Sequence, residues 1–164
     1  MPDGDPDTPP RPDNVTAGHV TMVTLGVANL ERATKFYEAI GFQCSAASQP
    51  GISFMISSTI VVGLFPIDEL SKDAAIDVGT PGHGAVAIAQ NRHSEADVDS
   101  AMTQAERAGA KITKSAQKVF WGGYSGYFAD LDGHLWEVAY NPFAELDNNG
   151  RMNLPGPPTT ASDS

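Results

Sequence analysis

A chain of 164 residues, 41% of them hydrophobic, suits one compact domain with a real core. Its 20 acidic residues outweigh 10 basic ones for a net charge of -10, and no Lys/Arg cluster is present, which excludes nucleic acid and anionic membranes as partners. Cys44 is the single cysteine, so an intrachain disulfide and a cysteine-only metal site are excluded, and it reads as a small buried strand residue. No apolar run approaches the roughly 20 residues of a membrane span. The acidic, proline-rich start lacks the pattern of a signal peptide, so the expected location is cytoplasmic.

Residues 1–17 are rich in Pro and Asp and are expected to form a disordered tail, as are residues 146–164. A single domain is expected over 18–145. It opens with a strand in which Val23, Leu25 and Val27 alternate with Met22, Thr24 and Gly26. Asn29 caps a helix whose stripe is Leu30, Ala33, Phe36, Tyr37 and Ile40, and Gly41 ends it. Strands are expected at 42–46, 52–57 and 60–65, then a short helix over 67–75. The order then repeats. A strand is expected at 85–89, and Ser94 caps a helix with Val98, Met102 and Ala105 on one face. Strands follow at 111–116, 124–129 and 135–140. Strand, helix and three strands therefore occur twice, in modules of about 18–78 and 79–145. The fold class is α+β. Paired βαβββ modules form a cup-shaped mixed or antiparallel sheet with helices on the outside and room for a ligand in the cup.

Asp130-Leu131-Asp132-Gly133 links two strand-like runs as a hairpin, and Glu137 lies inside the second run between Trp136 and Val138. A carboxylate in a half-buried strand needs a hydrogen bond, an ion pair or a cation. By pleat, Leu135, Glu137 and Ala139 share one face while His134, Trp136, Val138 and Tyr140 share the other. That leaves Glu137 in the cup and makes His134 structural. The run Phe120-Trp121-Gly122-Gly123-Tyr124 suggests a loop where backbone passes close to something. It reads either as a core-capping turn or as an aromatic pocket wall, with Trp121 in the wall and Tyr124 or Tyr127 offering a hydroxyl. Met22, Phe54 and Met55 are candidate apolar lining.

Two stretches carry a family resemblance. The segment from Val23 to Ala33, followed by Phe36-Tyr37-Glu38-Ala39-Ile40-Gly41-Phe42, and the closing segment from Phe120 to Val138 resemble the glyoxalase/bleomycin-resistance/extradiol-dioxygenase superfamily, also called vicinal oxygen chelate. The resemblance implies paired βαβββ modules and a cup. In the metal-dependent members His, Gln and Glu side chains hold one divalent ion that chelates two neighbouring substrate oxygens. It also implies that Glu137 occupies the last metal-ligand position. Met22 or Thr24, Val62, and either His83 or Gly84 occupy the other three.

Met22, Thr24 and Val62 are poor ligands for Zn²⁺, Ni²⁺, Fe²⁺ or Mn²⁺. The expected metal site, Glu137 with His83, is thus incomplete, and no cofactor is firmly expected. The ligand pocket is expected to hold Met22, Thr24, Phe54, Val62, Trp121 and Tyr124. The reading that follows is a glyoxalase-like protein that binds a small molecule, with Glu137 as general base or lone metal anchor if it catalyses. The alternatives are a non-catalytic binder of drugs or metabolites, and a metal-dependent lyase or dioxygenase. A homodimer is expected, as in the family's drug-sequestering members.

Overall fold

The computed structural model describes residues 18–156, so the whole first expected tail and the end of the second lie outside the described residues. The first module runs β1 (Met22–Val27), α1 (Leu30–Ala39), β2 (Gln43–Cys44), β3 (Ser53–Ile56) and β4 (Val61–Pro66), then α2 (Ile67–Ala74). The second runs β5 (Ile88–Asn91), α3 (Glu95–Arg107), β6 (Lys111–Lys118), β7 (Tyr124–Ala129) and β8 (Leu135–Tyr140). A short hairpin follows, β9 (Glu145–Leu146) with β10 (Met152–Asn153).

Each module forms a four-stranded mixed sheet, ordered β1-β4-β3-β2 and β5-β8-β7-β6. In each, the first strand pairs parallel with the last and the remaining pairs are antiparallel. This is the paired βαβββ arrangement, α+β with helices packed outside the sheets.

Local chemistry sets the helix ends. The Asn29 side chain accepts a hydrogen bond from the Arg32 amide, and the Ser94 hydroxyl accepts one from the Asp97 amide. Past each helix a glycine takes a left-handed turn, Gly41 with φ 101° and Gly109 with φ 104°.

A continuous apolar core joins the modules. Leu25, Val62, Leu64 and Met55 face α1, while Phe128, Trp136 and Val138 face α3. The two halves meet at Tyr37, which is 0% exposed. Its ring packs edge-on against Phe36 and Phe42 and tilts against Trp136. Its hydroxyl donates to Asp130 Oδ2 at 2.7 Å and accepts from Trp136 Nε1 at 3.1 Å. Burial and the negative Asp130 hold the Tyr37 phenol well above its usual pKa, so it stays a neutral donor.

The 130–134 hairpin clamps the first module. Asp130 Oδ1 accepts the amides of Asp132, Gly133 and His134. Asp132 Oδ1 accepts the Ala28 amide at 2.8 Å and lies 3.5 Å from the Arg32 guanidinium. His134 Nε2 meets the Gly26 carbonyl at 2.8 Å. Most of the hairpin's polar side chains are therefore spent on joining modules.

Three sequence expectations need correction. β5 begins at Ile88 rather than Ala85, because Ala85 has φ 49°, a left-handed conformation that interrupts an extended run. Cys44 is exposed, since β2 is a two-residue strand at the outer edge of its sheet. Part of the expected second tail is structured: Asp147 Oδ1 accepts the amides of Asn149 and Arg151 and folds the β9–β10 turn.

Candidate functional site

Pleat and register place the side chains that face away from α1 and α3. In the first module Thr24 pairs with Gly63, which pairs with Phe54. The adjacent row is Met22, Val61 and Ile56. Met22 and Ile56 are 43% and 42% exposed, so this face is an open apolar shelf. Helix α2 covers its other end, where Ile67 packs so closely on Gly26 that an added Cβ would lie 2.9 Å from the Ile67 side chain. Gly63 lies beneath Met22 and Thr24; a Cβ there would meet Thr24 Oγ1 at 3.2 Å and Met22 Sδ at 3.3 Å.

The matching row in the second module is Ala89, Glu137, Tyr127 and Lys114. Glu137 and Tyr127 lie directly opposite each other on β8 and β7, so the carboxylate and the phenol are neighbours on the same face of the sheet. Lys114 Nζ stands 6.0 Å from the centre of the Tyr127 ring, at cation–π range. Burial first, then the neighbouring Glu137 carboxylate, raise the Tyr127 pKa and keep the phenol protonated. The side chain directly across from Glu137 is thus a neutral hydroxyl and not a cation.

The two open faces approach one another at a cleft of about 420 Å³ beneath α2 and the 78–86 loop. Thr24 and Gly26 line it from the first module and Leu135 from the second. Glu137 comes next after Leu135 on the same face of β8.

The predicted site residues separate into two groups. Met22, Thr24, Phe54 and Glu137 lie on the open faces. The others do not. Val62 is 1% exposed and points into the core, so the open-face position next to it is Gly63. His83 is exposed in the loop before β5, its Nδ1 3.2 Å from the Pro81 carbonyl, and Gly84 lies in the same loop. The residue beside Glu137 on β5 is Ala89. Tyr124 lies on the helix side, where its hydroxyl donates to Asp99 Oδ1 at 2.8 Å. Trp121 folds back over its own turn; a Cβ on Gly123 would sit 1.9 Å from the indole, so the glycine is what the ring lies against.

Of the two tyrosine hydroxyls open from sequence, the structure brings Tyr127 to Glu137. The period-2 parity of Leu64 and Val62 as core residues was the signal that assigns Gly63, rather than Val62, to the open face.

The donor set does not suit a divalent ion. Beside Glu137 stand a protonated phenol and an alanine methyl, with a lysine over that phenol's ring. The corresponding row of the first module offers only Thr24, Gly63 and Phe54. Zn²⁺, Ni²⁺ and Fe²⁺ sites draw on imidazole, thiolate and carboxylate. Among the described residues no three His, Cys, Asp or Glu side chains come together as such a set. No described helix is long and apolar enough to cross a membrane.

Comparison with known proteins agrees with the fold. No curated protein matches the sequence. A glyoxalase-related enzyme from Fulvimarina pelagi superposes with a TM-score of 0.77 at 30% identity, over 85% of this chain and 100% of that one. A glyoxalase/bleomycin resistance protein/dioxygenase family enzyme from Burkholderia phytofirmans PsJN gives 0.66 at 16% identity, over 73% of this chain and 96% of that one. A lactoylglutathione lyase from Agrobacterium tumefaciens gives 0.61 at 21% identity, over 77% and 96%. These last two likenesses concern the fold alone. Residues 16–138 match the sequence profile of the Glyoxalase/Bleomycin resistance protein/Dioxygenase superfamily, and the chain belongs to that superfamily.

Proposed function

We propose that the protein binds a small organic molecule on the open faces of its sheets without a metal ion. The ligand's apolar body lies on Met22, Thr24 and Phe54, and its hydrogen-bond donor meets Glu137. The observation that carries this reading is the Glu137–Tyr127 pair. A carboxylate that lies across from a neutral phenol, in no ion pair among the described residues, has lone pairs for a ligand donor. The surrounding surface is apolar enough to hold a flat molecule. The apolar shelf also supports a homodimer in which a second copy closes the open face. Catalysis is a further step, and within this site Glu137 is the base it would use.

A panel of flat aromatic compounds, with and without an amine or amide donor, tests the proposal by calorimetric titration. Donor-bearing members should bind the wild type, and Glu137→Gln, which keeps the size but loses the charge, should weaken them about ten-fold or more, roughly 1.4 kcal/mol. Equal binding by the Gln variant with its fold intact would remove Glu137 from the site.

A further inference from the structure

A second cleft lies on the other side of β8. It measures about 770 Å³ and opens where the modules meet, between the end of α1, the 57–60 turn, β5 and the 148–152 turn. Ile40, Phe42 and Trp136 give it an apolar floor. Its charge is unlike that of the chain. The protein carries 20 acidic residues against 10 basic ones, yet no Asp or Glu lines this cleft, whereas Arg92 and Arg151 both do.

Arg92 follows the last residue of β5, and its amide donates to the Ala139 carbonyl at 2.8 Å, which pins its backbone beside β8. Its Nη2 donates to Gln90 Oε1, a neutral amide, at 2.5 Å. The Nε atom is buried and has no acceptor among the described residues. No carboxylate forms an ion pair with this guanidinium among the described residues, and Asp97 acts on it only through space. Desolvation lowers the Arg92 pKa, the direction expected of a cation held from water without an anion.

A half-buried, unpaired guanidinium is costly. Its planar fork matches a carboxylate, and a carboxylate would supply the negative charge that Gln90 lacks. We propose that this intermodule cleft binds a small organic carboxylate, its charged head on Arg92 and its apolar body against Phe42 and Trp136. The second arginine, Arg151, adds attraction at the cleft mouth. Glu137 and Trp136 point to opposite faces of β8, so the apolar floor of this cleft and the open-face carboxylate lie on opposite sides of that strand.

Trp136 lines the cleft, so it reports binding once the chain's other indole is removed. Naphthoate is titrated into the full chain carrying Trp121→Phe, followed by Trp136 emission, with neutral naphthamide as the uncharged isostere. The expected result is a saturable response to naphthoate, with naphthamide at least about ten-fold weaker. Adding Arg92→Gln should weaken naphthoate by about the same factor, while Arg107→Gln, which removes an exposed arginine on α3, leaves it unchanged. Should Arg92→Gln fail to fold, the naphthoate–naphthamide comparison decides without it. Equal binding of acid and amide, absence of a saturable response, or undiminished naphthoate affinity in folded Arg92→Gln would each overturn the proposal.

Discussion

Asp130→Ala is expected to lower unfolding stability by about 3–5 kcal/mol, a loss typical of breaking a buried charged network. At this chain length that corresponds to a fall in Tm of roughly 10 °C, measured by thermal or denaturant unfolding. The carboxylate is 6% exposed and holds two structures at once. One oxygen collects three backbone amides and fixes the hairpin between β7 and β8. The other receives the Tyr37 hydroxyl from α1 of the opposite module. Alanine leaves the Asp132 and His134 amides without that acceptor, the Gly133 amide with only the Asp130 backbone carbonyl, and the phenol without its anion. The conservative Asp130→Asn keeps a carbonyl acceptor and should cost less, since the amide still faces donors with one of its oxygen lone pairs.

Trp136→Ala is the second large effect, expected at about 3–5 kcal/mol from lost burial and the cavity it leaves. The indole is 2% exposed, lies nearly parallel to Phe128 with ring centres 6.2 Å apart, and meets Phe42 at 6.0 Å. Its N–H ends on Tyr37, whose hydroxyl also serves Asp130. The two substitutions share Tyr37, so the double variant should lose less than the sum of the singles. By contrast Trp121, 38% exposed in the β6–β7 turn, should cost well under half as much when truncated. Chemical denaturation of the four proteins separates these outcomes, and a fully additive pair would argue against Tyr37 as the shared link.

The long, regular signals in the chain were readable. Asp130 to Gly133 marks a tight turn between two alternating runs, and β7 and β8 begin and end where that pattern places them. The caps Asn29 and Ser94 likewise locate α1 and α3. Other features depend on contacts that no local pattern encodes. Ala85 to Ala89 alternates as a strand should, yet Ala85 turns left-handed in a loop whose Gly82 lies against the Gly133 carbonyl, so His83 and Gly84 never join β5. Val62 and Gly63 are both small and neutral in an apolar run, and the pairing of β4 with β1 and β3 fixes which one faces out. Tyr127 becomes the partner of Glu137 through hairpin register, a relation between strands. The residues around Asp130 carried much of the family resemblance. Their side chains divide their hydrogen bonds between closing the hairpin and fastening one module to the other.

The proposed function has Glu137, across from the Tyr127 hydroxyl, meeting its ligand without a metal. Its most direct test is calorimetric titration of Zn²⁺, Ni²⁺ and Mn²⁺ into chelator-treated wild-type protein, repeated with Glu137→Gln. No stoichiometric, tight uptake is expected, and any weak heat should be the same in both proteins. One ion bound per chain at micromolar affinity or better, and lost in Glu137→Gln, would contradict it.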